Sequence, residues 1–290
     1  MSVLPPGACD CHVHAVGAHS EYPMVVERHY TPGPASVDDL RQHLARNGLA
    51  RTVIIQPSFY GTDNSCMLQA LHELQGAARG VAVVETGASD DYLRALHAHG
   101  IRGLRLNVES SGTGDTLAVS AALQYWADRI AALGWHLHWH LQVYAALDAL
   151  HAIHSVLQAL SVPIVLDHFA MVQDTTPQSD ARAQAVLSLV RSGRAYVKLS
   201  APYRIQSAPT PDPIAVTGIA ARYLQANPER VLWGSDWPHT NREPGKAAHE
   251  VSAYRPIEPT TLEQGIQAWL PTAALRVQVL VDNPARLYDF

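Results

Sequence analysis

Residues 9–14 read Cys-Asp-Cys-His-Val-His and set two imidazoles, His12 and His14, two positions apart. On an extended strand that spacing puts both rings on one face, where they can share one small molecule. An imidazole there can polarise a carbonyl through its N–H, carry a proton, or ligate a divalent metal through its lone pair. Two later segments hold partners for this chemistry. Val-Leu-Asp-His-Phe-Ala (165–170) carries Asp167 and His168, and Gly-Ser-Asp-Trp-Pro-His (234–239) carries Asp236 and His239. A carboxylate ionised at neutral pH can take a proton from water. With 16 histidines in the chain, an HxH pair also arises by chance, and His97 and His99 make another on a predicted helix, so placement must decide.

The elements that would place these residues follow a regular alternation. Short apolar, β-branched segments predict strands near 8–14, 52–58, 81–86, 101–107, 135–142, 163–169, 195–200 and 230–236. Amphipathic stretches over 36–46, 65–75, 90–98, 116–132, 145–160, 179–192 and 214–226 predict helices, several opening on Ser or Asp caps. Alternating strands and helices demand parallel pairing with right-handed crossovers. Eight such units in under 300 residues fit a closed α/β (β/α)8 TIM barrel, read as a single domain over 1–290. No GxGxxG follows the first strand, which argues against a dinucleotide-binding sheet. The Gly-rich stretch SSGTGD, with Asp115 as a helix cap, reads as a loop, as does SAPTPDP over 207–213.

In a barrel of this kind, functional side chains sit at the C-terminal ends of the strands. Those ends carry His12 and His14; Gln56 and Ser58; Arg105; His136, His138, His140 and Gln142; Asp167 and His168; Ser200 and Arg204; and Asp236 with His239. Polar groups gathered at one rim are costly unless matched or used. Blander readings exist for some. His136 and His138 lie deeper and read equally as hydrogen-bonded packing, Arg105 equally as an ion-pair partner, and Trp126, Trp135 and Trp139 as packing residues.

Composition narrows the partners. The chain of 290 residues is 47% hydrophobic and 16% charged with a formal net charge of -5, enough apolar content for a full core. Lys198 and Lys246 are the only lysines, and the arginines are scattered. No basic run exists to meet nucleic acid or an anionic membrane. Cys9, Cys11 and Cys66 form an odd set without CxxC, which suits a reducing compartment. No apolar run reaches the length of a membrane span and no signal peptide is evident. A cytoplasmic protein with a small-molecule partner is expected.

Taken together, HxH after the first strand, His168 in VLDHFA and Asp236 in VLWGSDWPH resemble the amidohydrolase superfamily, in its type 2 branch. YTPGPAS (30–36), QPSFYGTDN (56–64), GIRGLRLN (100–107), GWHLHWHLQ and VKLSAPYR (197–204) are similar to the lactonase group of that branch, which includes pyrone-dicarboxylate and sugar-acid lactonases. The resemblance implies a hydrolase opening the ester ring of a small carboxylated lactone, of sugar-acid or pyrone/muconate type. Asp236 would be the base that activates water, and His12, His14 and His168 would surround the lactone carbonyl as hydrogen-bond donors. Tyr30, Ser58, Arg105, His140, Arg204 and His239 would contact substrate. No cofactor is expected; if a divalent metal (Zn or Mn) binds, His12, His14, His140 and Asp236 would hold it. Ser111 and Met171 stand where relatives of the group carry arginines, and His140 stands where they carry a tyrosine. Fewer arginines predict a substrate with one carboxylate, such as a sugar-acid lactone whose hydroxyls meet His140 and Gln142. A lactone isomerase, or a metal-dependent decarboxylase or amide hydrolase of the superfamily, is the alternative. Every version requires Asp236 and three imidazoles to reach one rim.

Overall fold

The computed structural model describes residues 4–107, 116–133, 140–206 and 212–290, without the side chains of residues 107 and 140. The predicted roles of Ser111, Asp115, Trp135, His136, His138, Trp139 and the His140 side chain lie outside the described residues.

Eight parallel strands follow one another around a (β/α)8 TIM barrel. They are β1 (Cys9–Val13), β2 (Arg51–Ile55), β3 (Ala78–Ala82), β4 (Ile101–Asn107), β5 (His140–Tyr144), β6 (Ile164–Leu166), β7 (Ala195–Leu199) and β8 (Val231–Trp233). Helices cover the outside, beginning with Val37–Arg46, whose Ser36 and Asp39 form a reciprocal capping box. Several predicted boundaries move, and β2, β6 and β8 each end three residues before the predicted 58, 169 and 236. β3 lies a few residues earlier than 81–86, because beyond Ala82 the Asn64 side chain takes over the hydrogen bonds of Val83, accepting from its N–H at 3.2 Å and donating to its carbonyl at 2.8 Å. β5 continues to Tyr144, two residues past the predicted end. The C-terminal helices Pro259–Trp269 and Asn283–Tyr288 were not predicted; from the second, Leu287 and Tyr288 close the lower interior together with Cys9, Cys11, Val53, Ile55 and Val165.

The join between the first and last strands is built by backbone. His14 N–H donates to Trp237 O at 2.8 Å, Asp236 N–H donates to His12 O at 2.9 Å, and Val13 bridges Trp237 in parallel. The buried Asp10 carboxylate ties this seam by accepting from the N–H groups of His12 (3.2 Å) and Ser235 (2.9 Å). Gly234 is required there, since a Cβ would come within 2.6 Å of His12 Cβ and 2.9 Å of its backbone nitrogen. Between Asp10 and Val13 the register of β1 shifts against β2. Such a bulge re-aims side chains. Here it turns His12 and His14 inward although Cys9 and Cys11 already occupy the interior, and sends Val13 into the helix-packed layer.

Candidate active site

Above the apolar lower interior lies a fully buried polar layer. Lys198 on β7 donates to Gln142 Oε1 at 2.7 Å and sits 3.4 Å from Asp167 Oδ1; Gln142 in turn donates to Asp167 Oδ2 at 3.0 Å. Asp167 Oδ1 faces His12 Nδ1 at 3.3 Å, and the far side of that ring, Nε2, faces Asp236 Oδ1 at 3.5 Å. Asp236 Oδ1 is also 3.8 Å from His14 Nε2 and 4.0 Å from His168 Nε2. Its other oxygen is fully engaged: Oδ2 accepts from Tyr203 OH (2.6 Å), Arg204 Nη2 (2.9 Å) and Arg204 Nε (3.2 Å). One carboxylate oxygen is thus clamped and the other left to three imidazoles.

Electrostatics assign the protons. Burial would raise the Asp236 carboxyl, but Arg204 and then the three imidazoles outweigh it and hold it well below the usual range. Asp167 behaves alike, with Lys198 and His12 opposing burial. Burial lowers all three imidazoles, His14 to about 3 and His168 well below its ordinary value, so each is neutral at pH 7. A neutral imidazole carries one N–H. His14 Nδ1 lies 2.8 Å from Ile55 O, which only accepts, so that nitrogen bears the proton and Nε2 bears a lone pair. His12 faces a carboxylate oxygen from each ring nitrogen, Asp167 Oδ1 at 3.3 Å and Asp236 Oδ1 at 3.5 Å, so a single N–H can serve only one of them. Of the three rings expected to donate toward a carbonyl, His14 turns its lone pair inward. His168 differs, because its Nδ1 meets the hydroxyl of Ser200 at 2.9 Å, a group that can donate to it, and in that tautomer Nε2–H faces inward.

The two strand-end residues that complete this cluster sit on strained backbone. Asp236 has φ 66°, and His168 to Met171 all have φ between 49° and 55°. Left-handed conformations of this kind cost about 1–2 kcal/mol per non-glycine residue and concentrate at functional sites. Their effect here is to turn the chain sharply after β6 and β8 so that both side chains point at the barrel axis.

A cavity of about 310 Å³ opens above the cluster. Its lining includes His14, His168, Tyr30, Ser58, Arg105 and Arg204, all anticipated from the sequence, and His29, Tyr144, Thr240 and Arg242, which were not. Arg105 Nη1 donates to Gln56 O at 2.8 Å, while its buried Nε has no hydrogen-bond partner among the described residues. Three placements differ from expectation. His239 borders a separate cavity with His43 and Trp237, because φ 66° turns it away from the barrel axis. Gln142 is spent on Lys198 and Asp167 and cannot meet substrate hydroxyls. The mouth residue of β5 is Tyr144, whose ring meets His168 edge-on at 5.4 Å, whereas residue 140 pairs with Gly103, lower in the barrel.

The model of the amidohydrolase family matches residues 9–290. The chain belongs to that family. It is 36% identical to a 2-pyrone-4,6-dicarboxylate hydrolase of Comamonas testosteroni, over 98% of this chain and 91% of that protein. It is 28% identical to a 4-sulfomuconolactone hydrolase of Hydrogenophaga intermedia, over 99% and 90% of the two chains. A probable 2-pyrone-4,6-dicarboxylic acid hydrolase of Acinetobacter baumannii, solved with citric acid bound, superposes with a TM-score of 0.82 at 25% identity over 98% of this chain and 100% of the other. No described helix of this amidohydrolase is long and apolar enough to cross a membrane.

The same cluster fits a divalent ion. One nitrogen each of His12 and His168 and one oxygen of Asp236 lie within 4.8 Å of one another, and His12 Nε2 and Asp236 Oδ1 are buried without a hydrogen-bond partner. The set differs from the expected His12, His14, His140 and Asp236: His168 enters it, His14 Nε2 stands beside it, and the His140 side chain is outside the described residues. His168 Nδ1 is hydrogen-bonded to Ser200 and His14 Nδ1 to the Ile55 carbonyl, the arrangement that orients imidazole ligands. Among the residues the sequence reading passed over, Tyr203 and Lys198 lay within the quoted VKLSAPYR, and only their contacts reveal their use.

Proposed function

We propose that this amidohydrolase opens the ester ring of a small carboxylated lactone. The observation that carries the reading is the meeting of an ionised, half-clamped Asp236 with three neutral imidazoles beneath an arginine-lined cavity. The 36% identity to a pyrone-dicarboxylate hydrolase across nearly the whole chain supports the lactone as substrate class.

The geometry divides the work as follows. Arg105 and Tyr30 hold the anionic lactone with its carbonyl over His168. A water that donates its two hydrogen bonds to Asp236 Oδ1 and to the His14 Nε2 lone pair has its own lone pair free to attack the carbonyl carbon. As the C–O bond forms, the water proton passes to Asp236 Oδ1 and the carbonyl oxygen becomes anionic, stabilised by His168 Nε2–H. Collapse of the tetrahedral intermediate breaks the ring C–O bond, and Asp236 returns its proton to the leaving oxygen. The product is a hydroxy acid whose new carboxyl ionises, releasing one proton to solvent. Tyr203 and Arg204 keep Oδ2 out of the reaction and Asp236 ionised. Where a divalent ion is bound, His12, His168 and Asp236 would hold it, and it would add Lewis-acid polarisation of the carbonyl.

The test is a pH-stat assay of lactones bearing zero, one and two carboxylates, on protein of measured metal content before and after chelation. Proton release coupled to loss of the lactone, abolished by Asp236→Asn, supports the reading. Conversion without net acid release, with NMR showing a rearranged lactone, overturns hydrolysis in favour of isomerisation. Loss of all rate on chelation would move carbonyl activation from the imidazoles to the ion.

A further inference from the structure

We propose that His43, on the helix Val37–Arg46 outside the barrel, is a positioning residue for the hydrolytic reaction: through Asp10 it fixes the two backbone segments from which His12 and Asp236 project. The proposal rests on the lactonase reading for the reaction and on the seam between β1 and β8 for the route.

His43 does not line the catalytic cavity; it borders the separate one, of about 340 Å³, shared with Trp237 and His239. Its ring is nonetheless buried, and Nε2 lies 3.2 Å from Oδ2 of the fully buried Asp10 carboxylate. A carboxylate only accepts, so Nε2 donates. The opposite nitrogen agrees with this, since Nδ1 faces the side-chain amide nitrogen of Asn47 at 3.4 Å, and that amide is oriented by donating to the His43 carbonyl at 2.8 Å. Among the described residues no lysine or arginine pairs with Asp10, so the imidazole is what keeps this buried oxygen matched.

The other oxygen carries the consequence. Oδ1 accepts from the backbone N–H groups of both His12 and Ser235, at 3.2 and 2.9 Å, so the peptides it holds belong to one reacting residue and to the neighbour of another. Asp236 N–H donates in turn to His12 O at 2.9 Å, which completes a chain of bonds from the helix to the reacting carboxylate. His43 also packs against the Trp237 ring, with centroids 5.5 Å apart, and lies 3.4 Å from the Ser235 hydroxyl, which accepts from Trp237 N–H at 2.9 Å. Without the Nε2–H, the Asp10 carboxylate turns toward other donors and its hold on the two peptides loosens. Displacing reacting groups by about 1 Å can cost about a hundredfold in rate. Binding is insulated from this, because Arg105 on β4, which holds the lactone, is bonded elsewhere, to Gln56 O.

The experiment compares the wild type with His43→Leu, which removes the donor, and with His43→Gln, whose amide nitrogen reaches the place of Nε2. Each is measured in the lactone pH-stat and by hydrogen–deuterium exchange without substrate. His43→Leu is expected to lower kcat by about tenfold to a hundredfold with KM within a few-fold, and to speed exchange of the His12 and Ser235 amides. His43→Gln should keep kcat within a few-fold of the wild type and leave that exchange slow. His43→Leu combined with Asp10→Asn should lose no more activity than His43→Leu alone, because both changes act on one bond. If His43→Leu does not fold, His43→Asn, whose amide stops short of Asp10, is read in its place. An unchanged kcat, a loss carried by KM, a loss that His43→Gln shares in full, or unchanged exchange at both amides overturns the proposal. A wild type that opens no lactone refutes the hydrolase reading instead, and the exchange then decides by itself whether His43 holds the seam.

Discussion

Arg204 was expected to hold substrate, yet its guanidinium is bonded to Asp236, and Arg204→Met separates the two roles. Its Nη2 lies 2.9 Å from a fully buried carboxylate oxygen. At an effective dielectric near 20, two unit charges at that separation attract by about 6 kcal/mol, and breaking a buried pair by removing one partner typically costs about 3–5 kcal/mol net. Tyr203 remains on Oδ2 in the variant and the imidazoles can take up a proton, so we expect the low end, about 3 kcal/mol. At the usual unfolding entropy per residue a chain of 290 residues melts about 5 °C lower for that loss. The sign with pH follows from the direction of the shift. Asp236 is depressed in the folded protein, so its stabilisation is present above the unfolded carboxylate value of about 4 and is lost as pH falls through the folded value. The deficit of Arg204→Met should therefore be largest at neutral pH and shrink on acidification. Calorimetric melting at pH 7 and at a series of pH values below 4 measures it, and Arg204→Met combined with Asp236→Asn should recover most of the loss because no buried charge is left uncompensated. A melting point within about 1 °C of the parent, with only KM raised, would refute the clamp and return the guanidinium to the substrate.

Other outcomes follow from the same geometry. Asp236→Asn should lower kcat by about a hundredfold to ten-thousandfold with the fold retained, measured by pH-stat and circular dichroism. Lys198→Met, which touches no substrate, should lower kcat by about tenfold to a hundredfold while leaving KM within a few-fold, because Asp167 loses the cation that keeps it ionised against His12; a large KM change would show that the buried layer does more than orient His12. Gly234→Ala should destabilise the protein by about 1–3 kcal/mol and depress activity, since the added methyl must displace the backbone of His12; denaturant unfolding checks it.

Strand and helix order, the barrel, and the gathering of His12, His14, His168 and Asp236 at one rim were legible in the sequence, because alternation of apolar segments and the position of polar residues at strand ends are local patterns. What each polar group does there was not. Tautomers depend on partners far along the chain: the Ile55 carbonyl makes His14 an acceptor, and the Ser200 hydroxyl frees His168 to donate. The bulge in β1 breaks the simple parity of a strand, and it begins at Asp10, whose carboxylate ties the seam with β8. The left-handed turn after β6 opposes the intrinsic preference of its residues and is held by tertiary contacts such as Tyr223 OH donating to Phe169 O at 2.8 Å. Arg242 lies in no pattern at all and becomes a site residue only because the loop after β8 returns to the cavity. Residue type and order determined which reactive groups this protein has and which layer carries them. Closure of the barrel decided their protonation, their pairing and which of them remain free for a ligand, since those depend on burial and on neighbours that no local spacing specifies.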